Sequence, residues 1–130
     1  FLRFWFRYIN RNQDFIESGN LNGLAELIKS DYSTYSGMVL ERYFRQQLSE
    51  QMFYRNIGSW WETSKGKDIA QNEVDIVAIY ASNKKVLIGE VKRLRKNFKP
   101  RLLQQKVEFL RTKLFYNYEF ETKCFTIDDM

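Results

Sequence analysis

Hydrophobic residues along this chain change their period about two-fifths of the way through, and the change divides a helical part from a stranded one. From Phe1 to about Ser18 apolar side chains are dense and fall at helical spacing, and Gly19 ends the segment. Leu21, Leu24 and Ile28 recur at steps of three and four, which predicts a short second helix after Asn20. A polar stretch, Ser30 to Ser36, separates it from a third helix, where Leu40, Phe44, Leu48 and Met52 mark one buried stripe. Strand patterns then take over. Ile57 to Thr63, Val74 to Tyr80 and Val86 to Lys92 are apolar and rich in β-branched or aromatic residues. The polar segment Ser64 to Asn72, with Gly66, joins the first two, and Ser82-Asn83-Lys84 turns between the second and third. Pro100 stands where the first turn of a helix tolerates it, ahead of an apolar face at Leu103, Val107, Leu110 and Leu114. A last strand runs from Phe120 to Ile127. The expected fold is therefore α/β (α+β). Its core order is α-β-β-β-α-β, with the three consecutive strands in an antiparallel meander or a hairpin pair and two additional helices at the N-terminal side. The expected division falls at residue 30, with 1–30 helical and 31–130 holding the core.

Charge inside two of these strands changes the picture. Asp75 sits between Val74 and Ile76, and Glu90 and Lys92 share a strand face with Ile88. Burying charge without a partner is expensive, so an acid in so apolar a strand needs a lysine, a metal or an exposed position. Adjacent strands can bring Asp75 beside Glu90. Two close carboxylates repel each other, and a divalent cation is the simplest group that satisfies both. Such a site suits phosphodiester hydrolysis: the cation polarises a phosphate oxygen and acidifies a bound water, and a lysine steadies the charge that develops. The chain contains no histidine, which excludes Ser-His-Asp and Cys-His nucleophile arrangements and the usual zinc sites. Cys124 is the only cysteine, so no internal disulfide forms, and a reducing, cytoplasmic setting is expected.

The triplet Glu90-Val91-Lys92 at the end of an apolar strand, with Asp75 on the strand before it and Glu41 on the preceding helix, resembles the PD-(D/E)XK nuclease superfamily. The segments Glu41-Arg42-Tyr43-Phe44, Ile57-Gly58-Ser59-Trp60-Trp61, Asn72-Glu73-Val74-Asp75-Ile76-Val77-Ala78 and Leu87-Ile88-Gly89-Glu90-Val91-Lys92 are similar to one branch of it. That branch is a nuclease-like domain of unassigned function at the C-terminus of archaeal-type AAA+ ATPases. The opening Phe1-Leu2-Arg3-Phe4-Trp5-Phe6-Arg7-Tyr8 resembles the segment that joins ATPase and nuclease-like parts in those proteins. The resemblance implies a restriction-endonuclease-like core. It implies magnesium (or manganese) on Asp75, Glu90 and the main-chain carbonyl of Val91, with Lys92 acting on the attacking water and Glu41 orienting the metal from the side. Val74 stands where the superfamily's name has proline, and no G-x-x-x-x-G-K-S/T loop is present, so ATP hydrolysis would belong to a part of the parent outside this chain. Some resolvase-like relatives use a glutamine on the following helix. Gln104 and Gln105 both fall there, with no choice between them from sequence.

The expected partners follow from charge and aromatic content. The net charge of +5 permits an anionic partner without requiring one. Arg93, Arg95, Lys96, Lys99 and Arg101 border the carboxylate pair with no acid among them, and are read either as DNA-phosphate contacts or as a solvated loop and helix start. Trp60 and Trp61, as strand neighbours, face opposite ways, so one belongs to the core and the other can stack on a base. Phe4, Trp5, Phe6 and Tyr8 cover several faces of one helix. Part of that cluster is expected to pack on the ATPase part of the same chain or on a second copy, which makes a homo-oligomer one expectation. The chain starts at Phe1 inside a helical pattern, and a piece of a longer protein is expected. No apolar run reaches the length of a membrane helix. The functional expectation is a metal-dependent DNA phosphodiesterase or DNA-binding nuclease-like domain of an ATPase, and the rival is a non-catalytic module that regulates or docks the ATPase.

Overall fold

The computed structural model of the chain describes residues 1–62 and 73–130. The expected connection Ser64 to Asn72 and the last residue of the expected first strand, Thr63, lie outside the described residues. The chain divides into two compact units, Phe1–Ser36 and Gly37–Met130.

In the first unit the dense apolar start is helical but changes winding. A turn of α-helix (α1, Leu2–Phe4) passes into π-helix at Trp5–Ile9, then 3-10 helix at Asn10–Asn12, and returns to α-helix in α2 (Gln13–Glu17). Gly19 ends it as expected, with φ of 74°, a left-handed conformation that glycine adopts without a Cβ penalty. Tyr8 is the buried centre of this unit. Its ring lies 4.8 Å from Phe4 and 5.5 Å from Tyr35, and its hydroxyl donates to Asp31 at 2.7 Å. Arg7 grips the same carboxylate with two nitrogens, at 2.6 and 3.0 Å, and holds the Asp31 carboxyl down to about 2. Phe1, Leu2, Trp5 and Phe6 are exposed.

One long helix, α3 (Leu21–Glu50), replaces the two that the pattern predicts on either side of Ser30 to Ser36. The polar stretch does not break it, because Ser30 and Ser36 return their hydroxyls to the carbonyls of Leu27 and Ser33 within the helix. The stripe Leu40, Phe44, Leu48 is buried, but Met52 is not part of it. The helix stops at Glu50, and Met52 turns out at φ 59° with 85% of its surface exposed.

The second unit is built on a four-stranded sheet in the order β1 (Tyr54–Trp61), β2 (Glu73–Tyr80), β3 (Lys85–Val91), β4 (Glu119–Phe125). The first three strands form an antiparallel meander, one of the two arrangements expected, and β4 joins β3 in parallel after the crossover helix α4 (Pro100–Lys113). Pro100 opens α4 as the sequence predicts. Leu103, Val107 and Leu110 are buried, whereas Leu114 lies past the helix end and is exposed. Ile76, Ala78, Leu87, Val91 and Phe125 pack with the α3 stripe, and Val86 and Ile88 pack with the α4 stripe. Trp60 joins that second core, with Phe109 at 5.5 Å, and Trp61 is exposed, so the tryptophan pair divides as expected.

Gly89 leaves room on β3 for its sheet neighbours. A Cβ there would lie 2.8 Å from the Phe125 ring and 3.0 Å from Cβ of Ile76. Its missing side chain lets Phe125 lie over β3 and reach Phe44, ring to ring at 4.9 Å. Gly89→Ala is expected to destabilise the fold by about 1–3 kcal/mol, through overpacking. The change should appear as a lower urea midpoint with unchanged slope, and the added substitution Phe125→Leu should recover part of it.

Candidate functional site

The site is built where the β2–β3 ladder ends. Its last antiparallel pair is Ile76 with Gly89. On the other side of β2, Gly58 pairs with Val77 and Trp60 with Val74, so Asp75 and Ile76 together stand opposite Ser59 alone. That extra residue is a β-bulge, and it explains why Val74 packs with the α4 core although it is an even number of residues from Ile76. Bulges re-aim side chains next to sites. Here the Asp75 carboxylate accepts the main-chain N–H of Val91 at 2.8 Å, and Arg45 of α3 donates to the Asp75 carbonyl at 3.1 Å.

Glu90, one residue before Val91, projects to the α4 side, consistent with its strand phase with Val86 and Ile88. Its two oxygens meet two lysines. Lys92 approaches Oε1 at 2.8 Å, and Lys106 of α4 approaches Oε2 at 2.9 Å, with only 12% of the Lys106 and Glu90 side chains exposed. Lys106 was not predicted from the sequence. Its signal was there: it lies three residues after Leu103 and four before Leu110, on the buried stripe of α4, where a cation needs a reason. Glu41, on α3, pairs with Arg45 at 3.4 Å and is close enough to Asp75 to feel its charge.

The structure thus brings Asp75, Glu90, Lys92 and Glu41 to one end of the sheet, with Arg45 and Lys106 added. Val91 contributes its N–H to Asp75, while its side chain packs in the α3 core. The basic segment behaves unevenly. Lys99 borders a cavity of about 240 Å³ together with Glu90, Lys92 and Asn97. Arg95 turns away, donating to the Asp129 carboxylate at 3.0 Å. Arg93, Lys96 and Arg101 are exposed. Neither glutamine of α4 reaches that cavity: Gln104 donates to Glu108 and borders a separate one beside Cys124, and Gln105 is exposed. Among the described residues no group of three acidic, cysteine or histidine side chains is gathered as a ready-made metal cage.

Burial raises the Asp75 carboxyl above its ordinary range. The Val91 N–H works against the shift and the Glu90 charge adds to it. Glu41 is raised too, by burial first and then by Asp75. For Lys92, burial opposes the charge, but Glu90 and Asp75 outweigh it, and the ammonium is held more firmly than usual. A carboxyl whose folded pKa lies above its unfolded one binds protons more tightly in the folded chain. Stability therefore falls as pH rises through the window just above the ordinary carboxylate range. Asp75→Asn keeps an oxygen for the Val91 N–H and removes that titration. Urea titrations with chelator present should show a shallower fall over the window than in the native chain.

Comparison with known proteins places the chain in a family. No solved structure matches it. Over 99 residues it is 34% identical to an uncharacterized protein of Methanocaldococcus jannaschii. The matching stretch is 71% of this chain and 20% of that one, so the chain spans about a fifth of the length of that relative. A family profile matches residues 5–109, a span that takes in Glu41, Asp75, Glu90, Lys92 and Lys106. The chain belongs to that family, DUF234, of archaeal and bacterial proteins of unknown function.

Proposed function

We propose that the sheet unit is a PD-(D/E)XK nuclease-like domain that cleaves DNA phosphodiester bonds with magnesium or manganese, as part of a larger ATPase. One observation carries the reading: Asp75, at a bulge in β2, stands beside the Glu90-Val91-Lys92 end of β3, within reach of Glu90's charge. Magnesium is often held by only one or two carboxylates, with water and substrate phosphate completing its shell, so an all-oxygen pair fits it without a three-acid cage. Asp75, Glu90 and the Val91 carbonyl would hold the ion. When bound, it supplies Lewis-acid polarisation of a phosphate oxygen and acidification of water. Lys92, kept charged by its neighbours, orients the attacking water and steadies negative charge building on the phosphate oxygens. Glu41 orients the site from α3, and Lys99, on the cavity beside Glu90 and Lys92, receives a flanking phosphate.

A second reading has its own observation. Both Glu90 oxygens are already matched by lysines, which is what a relic site serving only as an interaction module of the ATPase would look like. The two readings part on Lys106. In the catalytic reading it competes with the cation for Glu90, so Lys106→Met should strengthen manganese binding severalfold by calorimetry. In the relic reading neither protein binds the ion.

Cleavage of plasmid, single-stranded and branched DNA with manganese tests the function directly. The native chain is expected to cut. Lys92→Ala should lose cutting while keeping most metal binding, and Asp75→Ala should lose both. Equal cutting by all three proteins rejects the site.

A further inference from the structure

On the other flank of Arg45, α3 and β1 enclose a cleft of about 390 Å³ that no expectation from the sequence covers. Three arginines border it: Arg42 and Arg45 from the helix and Arg55 from the strand. Gln46, Ser49 and Asn56 add amide and hydroxyl groups, and none of the eight residues lining the cleft is acidic. The neighbouring acids are engaged at its margins, Glu41 with Arg45 at 3.4 Å and Glu50 with the Gln46 amide at 3.1 Å. On α3, residues 42, 45, 46 and 49 follow helical spacing and form a donor-rich face next to the buried stripe of Leu40, Phe44 and Leu48. A regular strand presents every second residue to one side, yet four consecutive residues of β1, Tyr54 to Ile57, border this cleft. The reason is a second bulge. Tyr54 pairs with Tyr80 and Asn56 with Ile79, so Arg55 is the extra residue, and the local twist brings it to the cleft with its neighbours. Arg55 also reaches the Tyr118 hydroxyl at 3.4 Å.

We propose that this cleft binds the phosphodiester backbone of a nucleic-acid strand. Arginine is suited to phosphate because its planar fork donates two parallel hydrogen bonds and is weakly hydrated. The cleft is open, so it fits a chain that enters and leaves rather than a ligand that must be enclosed. Its connection to the carboxylates is direct, since Arg45 lines the cleft and also donates to the Asp75 carbonyl. A strand held in the cleft therefore lies against the residue that touches Asp75. The identity of the ligand rests on the nucleic-acid reading above, whereas the anion-binding character rests on the cleft alone.

The test separates the two. Fluorescence anisotropy of a labelled 20-nucleotide single strand, in EDTA and over a range of KCl, compares the native chain with Arg42→Gln/Arg55→Gln. A charge-matched control, Arg11→Gln/Lys84→Gln, removes two exposed cations elsewhere. The cleft variant should bind at least about tenfold more weakly at low salt. Its log–log salt slope should be shallower by about 1.4, two contacts at about 0.7 each for a single strand, while the control changes little. Arg42→Lys/Arg55→Lys should recover part of the salt slope, and circular dichroism checks that each variant is folded. Equal weakening in cleft variant and control, or no binding by the native chain, overturns the proposal. So does displacement of the strand by a mononucleotide or inorganic phosphate at matching phosphate concentration, which would make the cleft a site for a free phosphate compound. Manganese-dependent cutting, assayed in parallel, reads the other claim. A native chain that cuts while the cleft variant binds normally overturns the cleft and leaves the nuclease reading standing. Binding lost in the cleft variant without any cutting by the native chain supports the cleft and counts against that reading.

Discussion

Strand β3 is covered on both faces, and the sheet unit is arranged around that fact. Leu87 and Val91 pack with the α3 stripe while Val86 and Ile88 pack with the α4 stripe, each side chain removed from water at a gain of about 1.5–3 kcal/mol. A strand so placed has no solvent side on which to carry a charge. Glu90 is nevertheless there, at the strand's end, and its burial is tolerated because Lys92 and Lys106 bring a cation to each oxygen. Asp75 is accommodated differently, at a bulge against β1 and just past the last β2–β3 pair, where its carboxylate takes a main-chain N–H in place of a strand partner. The two acids are thus held by different means at the same end of the sheet.

Much of this was legible in the sequence, for local reasons. The meander, the crossover helix and its Pro100 start, and the division of Trp60 from Trp61 all follow from periods and turn chemistry within short windows. The acids and Lys92 stood out because charge is rare in apolar strands. What could not be read was local in some places and cross-strand in others. Residue spacing does not reveal that Ser30 and Ser36 satisfy their hydroxyls inside a helix, so a polar stretch looked like a break. Nor does a four-residue repeat announce where it stops, which put Met52 and Leu114 on stripes that they do not join. Bulges at Arg55 and Asp75 depend on cross-strand register, which belongs to two strands at once. Lys106 was visible as an oddity on an apolar stripe, but its partner is on another element.

The same contact, Lys106 with Glu90, gives the candidate site a double character. As a closed ion pair it completes the buried cluster without help from any ligand. In the proposed catalytic reading it is instead a partner to be exchanged, and a cation would reach Glu90 by displacing one lysine. The absence of histidine sharpens this, since no side chain in the sequence has an ordinary pKa near neutrality that would switch the pair by proton alone.

The parallel pairing of β3 with β4 has a consequence for how the chain comes to be folded. The meander closes through short connections, but β4 is reached only after α4, whose 14 residues carry the chain about 21 Å back along the sheet. Until that return is made, one edge of β3 offers unpaired N–H and carbonyl groups flanked by Val86, Leu87 and Ile88, the kind of edge on which a second nascent chain can add a strand. On a ribosome the interval is set by translation, at roughly 5–20 residues per second. The 28 residues from Lys92 to Glu119 thus take roughly 1–6 seconds to follow the most fully buried strand, and for that interval its edge is open.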